Sequence, residues 1–266
     1  WSSDVCSSDL KFLALILASL LVVSFAACSK KEDENTNNNS NNTAAPSEST
    51  YNEFRYSVNA SGDYDITGFI SNGTDAAELT VPAEISGRPV TGIAADAFKS
   101  CTNIRSITLP DSLITIGDYA FYGCTGITSI TLPASVTEIG KGAFQDCTAL
   151  ESITLSAELV KIGDYAFYNC EKLGNVTLPE KLATIGQAAF RNCGSLTAVI
   201  IPDSVTEIGD GAFLECGKLE SVTAGATEIK LGTSVFDRCA EALTFHTASD
   251  STMGKYAKEY GFTVAE

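Results

Sequence analysis

Histidine and tryptophan each occur once in the 266 residues, and basic residues are outnumbered by acidic ones, 17 to 33. With His246 as the lone imidazole there is no His-Glu-x-x-His zinc pair and no second histidine to share a metal. The chain also lacks a Gly-x-Ser-x-Gly nucleophile turn, a phosphate loop and any Cys-x-x-Cys pair. Carboxylates are everywhere in so acidic a chain and none is singled out, so no glycosidase pair is argued. A formal net charge of −16 argues against a nucleic acid or an anionic membrane surface held through phosphate contacts. The sequence therefore predicts no enzyme, no cofactor and no metal, and the remaining classes are binding modules and structural scaffolds.

The longest uncharged apolar run, Phe12 to Ala27, is short for a membrane span and of the right length for the core of a secretory signal. It closes on Phe25-Ala26-Ala27-Cys28, which resembles a bacterial lipobox, with Phe25 where those boxes usually carry Leu, Val or Ile. The resemblance implies a signal peptide over 11–27, cleavage before Cys28 and a lipid on its thiol. Residues 28–50 then read as a tether, because six of the sixteen residues from Asn35 to Thr50 are Asn and little there is apolar enough to fold. As random coil it would hold a domain about 25 Å from the bilayer. The run Lys30 to Glu34 looks like the surface-export signal of some Bacteroidetes lipoproteins, and reads equally well as a solvated linker. Residues 1–10, with Asp4 and Asp9 before any basic residue, do not suit a signal's start and read as a scar of cloning or sequencing.

The rest of the chain is dominated by one period. Phe98, Phe121, Phe144, Phe167, Phe190, Phe213 and Phe236 lie 23 residues apart, and so do Cys101, Cys124, Cys147, Cys170, Cys193, Cys216 and Cys239. In the copy Ile116 to Glu138 eight positions are apolar, and all eight stay apolar in the copies starting at Ile93, Ile139, Ile162 and Ile185. Ile130 and Leu132 alternate with Ser129 and Thr131 and are stopped by Pro133, which predicts one short strand per repeat. Ala120, Phe121, Cys124 and Ile127 have the spacing of a helical turn or two after Gly117-Asp118, which predicts a short helical or extended return. A single unit cannot bury its apolar stripe. Stacked units can, so the expectation is a solenoid with a parallel sheet, a buried phenylalanine ladder and a rod roughly 34 Å long.

The pattern Leu-x-x-Ile-x-Leu-Pro-x-x-Val-x-x-Ile-Gly-x-x-Ala-Phe-x-x-Cys, as at Leu150 to Cys170 with Ser156 for Pro, resembles the leucine-rich repeats of the BspA-like family over residues 51–266. The resemblance implies a right-handed leucine-rich-repeat solenoid and, commonly, a bacterial surface protein that binds host or bacterial partners. Departures are Ala94 for the usual Gly, Ala224-Gly225 for Leu-Pro, Glu228 where an apolar residue is due, and Val235 for Ala. Residues 51–92 are expected to form an N-terminal β cap with a hairpin, 93–242 the repeats, and 243–266 a C-terminal cap with a helix over Thr252 to Tyr260.

Three groups remain as site candidates. The repeat cysteines are expected to form a buried ladder of free thiols, and His246 to be a surface residue of the last coil. The outward strand positions make an uncharged strip running through Thr108, Thr131, Thr154, Thr177, Ile200 and Thr223, a docking strip for an extended peptide or glycan on what should be the concave face. Threonine also suits an exposed strand for its own sake. Tyr119, Tyr122, Tyr165 and Tyr168, alternating with Lys141, Gln145, Gln187 and Arg191 in neighbouring copies, form a second candidate. The expected function is a lipid-anchored surface module binding an unknown protein or glycan ligand, such as host matrix, with a periplasm-facing envelope scaffold as the alternative.

Overall fold

The computed structural model describes residues 49–70 and 77–265. Cys28 and the expected scar, signal and most of the tether lie outside them.

The repeats stack as coils of a solenoid, and each step along it is 23 residues. One sheet runs its whole length. It begins with β1 (Ser49–Tyr51), β2 (Phe54–Val58) and β3 (Tyr64–Phe69), passes to the strand Arg88–Ile93, and continues through two-residue strands, one per coil, from Thr115–Ile116 to Lys230–Leu231. Ile139 pairs in parallel with Ile116 on one side and Ile162 on the other, and the register never slips along this run. Most coils thus have two strands where one was expected. The second, such as Thr115-Ile116, Glu138-Ile139 or Lys161-Ile162, is too short to show a periodicity in sequence.

The glycine after each of these strands is a packing requirement. A Cβ on Gly117, Gly140, Gly163, Gly186, Gly209 or Gly232 would sit 2.4 to 2.8 Å from backbone atoms of the preceding coil. Ala94 occupies the same place in the first coil. What precedes it is β3, and its amide donates to the Ile66 carbonyl at 2.8 Å. The first departure from the repeat is therefore where there is no earlier coil to clash with.

The return segment is a chain of turns, not the helical turn that the spacing suggested. Its amides alternate in direction. Tyr119, Phe121 and Gly123 donate to Lys141, Ala143 and Gln145 of the next coil at 2.7, 2.7 and 2.8 Å, while Ala120, Tyr122 and Cys124 donate three residues back along their own coil. A helix would send every amide back along itself. Tyr119 and Gly123 also have φ of 56° and 67°, the left-handed region that breaks a right-handed helix, and this pair of positions repeats in every coil. The only α-helix among the described residues is Thr252–Glu259.

The core follows. Phe98 through Phe236 stack face to face with ring centroids 5.1 to 5.4 Å apart and planes within 15° of parallel. Each ring is buried and contributes about 1.5–3 kcal/mol. Both ends of the column are closed by aromatics from outside the repeat. Phe54 and Phe69 of the β2–β3 hairpin meet Phe98, and Phe245 and Tyr256 meet Phe236 edge-on. The helix that brings Tyr256 is capped by the Ser251 hydroxyl, which accepts from the Gly254 amide, and it ends before Gly261 at φ 78°. Where Glu228 replaces the apolar residue that was due, Ile229 one position on is buried at 3% exposure and fills the place.

Six of the seven repeat thiols, Cys124 to Cys239, are free. Cys101 is disulfide-bonded, so the ladder of free thiols begins one coil later than expected. Each free thiol donates to a phenylalanine carbonyl of the preceding coil, as Cys147 Sγ does to Phe121 O at 3.1 Å. That carbonyl already accepts from the cysteine amide of its own coil. Cysteine is thus small enough for the core and still supplies the second donor that the buried carbonyl would otherwise lack.

Candidate binding surfaces

The Ser-Ile-Thr strands form the face opposite the column of turns, and here the coils do not join into one sheet. Glu78–Thr80 pairs with Ser106–Thr108, Ser129–Thr131 with Ser152–Thr154, and Ala198–Ile201 heads a third ladder that continues through Ser221–Ala224, Thr244–His246 and Thr263–Ala265. The predicted strip is therefore divided. Thr108 lies on the first ladder, Thr131 and Thr154 on the second, Ile200 and Thr223 on the third, and Thr177 on a segment in no strand at all.

Asn175 explains the last break. In neighbouring coils a backbone carbonyl such as Thr128 O accepts from the two amides above it, those of Glu151 and Ser152. Asn175 instead offers its own side chain. Its Oδ1 accepts from the Thr197 and Ala198 amides at 3.0 and 3.1 Å and from the Thr197 hydroxyl. The carboxamide thus replaces the rung, and the ladder stops.

Immediately past that break stands Ile200, 67% exposed where its neighbours in the row are threonines. Its register leads through Thr223 to His246 and Ala265. Beside these lies a depression of about 620 Å³ lined by Thr223, Ala224, Gly225, His246, Ala248 and Ala265, among others. Its lining includes Ala224-Gly225, which stands where the coils at Leu109, Leu132 and Leu178 carry the bulkier Leu-Pro. The same departure, taken in sequence as the irregularity of a terminal repeat, is what shapes this face. A smaller depression of about 340 Å³ lies at the first break, between Ser106–Thr108 and Ser129–Thr131.

Another groove, of about 830 Å³, lies between the long sheet and the C-terminal helix, with Asp164, Asp210, Lys255 and Tyr260 on its walls. Sequence reasoning could not find it, because it exists only where the helix folds back over the sheet. Three of its carboxylates are already engaged. Asp164 and Asp210 accept from the Gln187 and Thr233 amides one coil on at 2.8 and 2.6 Å, and the bond from Thr233 holds Asp210 below the usual carboxylate range. Glu207 pairs with Lys230 at 2.6 Å. These are braces between coils.

The tyrosines also turn out to be packing. Tyr119 lies over Gly142 of the next coil, where a Cβ would come within 2.5 Å of its ring. Position by position, Tyr119 is followed by Gly142, then Tyr165, then Ala188. The Tyr119 ring takes the room that a side chain would need at Gly142, whereas Tyr122 is followed in its own column by Gln145, Tyr168 and Arg191, as the alternation in sequence has it. Lys99 sits over Tyr119 and Tyr122, Lys141 over Tyr165 and Arg191 over Tyr168, all within 6.0 Å of the ring centroids, so cations of the chain itself cover these faces.

The buried thiols are not activated. Burial pushes the Cys124 thiol up to about 12 and holds Cys147, Cys170 and Cys193 well above the ordinary thiol range, the opposite of what a nucleophile needs. His246 is exposed. Among the described residues no group of three or more His, Cys, Asp or Glu could hold a metal ion, and no helix is long and apolar enough to cross a membrane.

Six copies of the BspA type leucine rich repeat region match the chain, over residues 91–220 and 160–259. The chain belongs to the BspA-type leucine-rich-repeat family. A leucine rich cell surface protein of Faecalibacterium prausnitzii is similar to it in structure at 29% identity and a TM-score of 0.68, over 79% of this chain and 56% of that one. The leucine rich repeat protein of T. pallidum aligns at 27% identity and a TM-score of 0.52, over 82% and 98% of the two chains. A leucine-rich repeat protein of Eubacterium ventriosum, at 24% identity and a TM-score of 0.57 over 72% and 51%, shares the fold. No curated protein matches the chain in sequence. The chain is thus a bacterial leucine-rich-repeat solenoid, a scaffold typical of protein interaction rather than of catalysis.

Proposed function

We propose that this protein is a surface-anchored binding module, held to the cell envelope by a lipid on Cys28 and presenting its strand face to a protein or glycan partner. The observation that carries the reading is the contrast within each coil. Cys124 to Cys216 are buried and protonated, turn and long-sheet side chains such as Asp164, Asp210, Glu207 and Lys230 brace neighbouring coils, and the strand face presents a row of uncharged, exposed side chains with the exposed Ile200 and two depressions among them. Solenoids commonly recognise partners through such extended faces. The similar F. prausnitzii protein, named for the cell surface, supports the location.

Protease treatment of intact cells tests the location and Cys28→Ala tests the anchor. Shaving is expected to release the folded domain, and the variant is expected to leave the membrane fraction. A domain that is cut only after lysis would move the protein to the periplasmic face of the envelope, as a scaffold, and a Cys28→Ala form that stays membrane-bound would remove the lipid anchor.

A further inference from the structure

The strand face is not uniform, and its C-terminal third differs in three ways. It is the longest ladder on that face, with four strands in continuous register. It carries Ile200, the most exposed large apolar side chain among the described residues. It also holds the depression over Ala224-Gly225, most of whose surface is apolar.

Charged groups lie around the depression, with the Lys258 ammonium on the Ser249 carbonyl at 3.1 Å and two carboxylates besides. Asp250 lines the depression, and the Asp203 carboxylate lies directly over Gly225, where an added Cβ would come within 2.5 Å of Oδ1. The ion pairs among the described residues join other groups, and neither of these two carboxylates takes part in one. Elsewhere on the molecule acids are used as braces, with Glu215 between Arg191 and Arg238 and Glu207 on Lys230. At the depression Asp250 is part of the lining and Asp203 borders it at Gly225, and both residues are exposed.

Resting on the reading that the strand face binds a partner, we infer that the Ile200 to Asp250 region is the part that does so, and that its occupant is an extended, basic segment of a protein. The segment would lay an apolar side chain over Ile200 and the Ala224-Gly225 floor, and place a Lys or Arg at Asp203 and Asp250. Charge complementarity selects the cation, since a chain of net charge −16 draws in basic partners. The apolar floor, with no Phe, Tyr or Trp in its lining to stack a sugar on, favours a peptide over a glycan. Coils spaced about 4.8 Å apart put Ile200 roughly 10 Å from the row of His246, which is three residues of extended chain.

The test uses the full chain against an array of synthetic 12-residue peptides that combine Lys or Arg with Val, Ile or Leu, beside the same peptides with Glu for each base, and against an oligosaccharide array. Retention of the basic set and not of its charge-reversed twin is expected. Ile200→Ser, and Ala248→Leu to fill the depression from an exposed position, are each expected to weaken binding tenfold or more. The double variant Asp203→Asn, Asp250→Asn should flatten the dependence of affinity on salt. All four changes are at the surface, and an unchanged circular dichroism spectrum establishes that the coils remain folded. Peptide binding that none of these variants moves, or an absence of peptide binding, overturns the inference. Oligosaccharide binding lost on Ile200→Ser would overturn the peptide and keep the face. Binding to cells or matrix that survives changes at Thr131, Thr154 and Ile200 alike would instead overturn the broader reading of the strand face.

Discussion

Two sides of the same 23-residue repeat behave differently. The side made of the long sheet and the return turns is regular to the ångström, with paired strands in unbroken register, stacked rings 5.1 to 5.4 Å apart and a glycine in each coil that has no room for a Cβ. The strand face is broken into three ladders, loses a rung at Asn175, and carries an isoleucine and an Ala-Gly pair where the repeat has Thr and Leu-Pro. The difference teaches where the free energy of stacking resides. Hydrogen bonds that run between coils through the turns, together with the Phe and Cys columns, suffice to hold the rod. The strand face is then free to vary, as a recognition surface must be.

The largest consequence lies in the thiols. In the unfolded chain they ionise near pH ~8.5, whereas in the fold burial raises Cys124 to about 12 and Cys147, Cys170 and Cys193 well above the ordinary range. The folded state therefore keeps protons that the unfolded state releases. The stabilisation is whole below about pH 8.5 and is lost as pH climbs toward the folded values, by about 1.4 kcal/mol per pH unit for each thiol, of which burial raises six, Cys216 and Cys239 included. Urea unfolding at pH 7.5, 9 and 10 under reductant should show the midpoint collapse, and Cys147→Ala should remove about a sixth of the slope. A midpoint flat across that range would mean that the thiols ionise in place.

Next in size is the ring column. Phe144 stacks on Phe121 and Phe167 at 5.2 and 5.4 Å and is fully buried, so Phe144→Ala is expected to cost about 3–5 kcal/mol in urea unfolding. Thr154→Ala, opposite it on the strand face, should change stability by less than about 0.5 kcal/mol. Equal losses would erase the division between the two sides.

Smaller still is the broken rung. Asn175→Ser removes the carboxamide that holds the Thr197 and Ala198 amides and restores the residue found in neighbouring coils. Those amides should move to the Gly174 carbonyl, and hydrogen exchange of residues 175–177 should slow, with a change in stability within about 1 kcal/mol. If exchange there is unaltered, Gly174 and not Asn175 stops the ladder. Ile200→Ser should be the least costly change, within about 0.5 kcal/mol, because the side chain is 67% exposed. A larger loss would show it to be covered by the chain itself.

Much of this was legible in the residues because a solenoid repeats its physics. Phe and Cys recurring every 23 residues have to form columns, and Pro133 after Ile-Thr-Leu has to end a strand. The two-residue strand of the long sheet was not legible, since two residues have no period and its rungs are made only when another coil lies beside it. The return turns imitated a helix because Ala120, Phe121, Cys124 and Ile127 have helical spacing. Their amides are claimed alternately by the next coil, and one chain read alone cannot show that competition. The contact of Tyr119 with Gly142 was hidden for a related reason, since it forms only when the next coil lies beside the ring.

By itself the sequence determined the repeat and the inward residues, because each follows from which side chains recur. Only the tertiary structure decided that the coils join through two faces unequally, that Ala94 and Ile229 are accommodations to a neighbour, and that Ala224-Gly225 opens a depression beside Ile200. Those depend on what lies across from a residue in the adjacent coil, 23 positions away in the chain and in contact only once the solenoid has stacked.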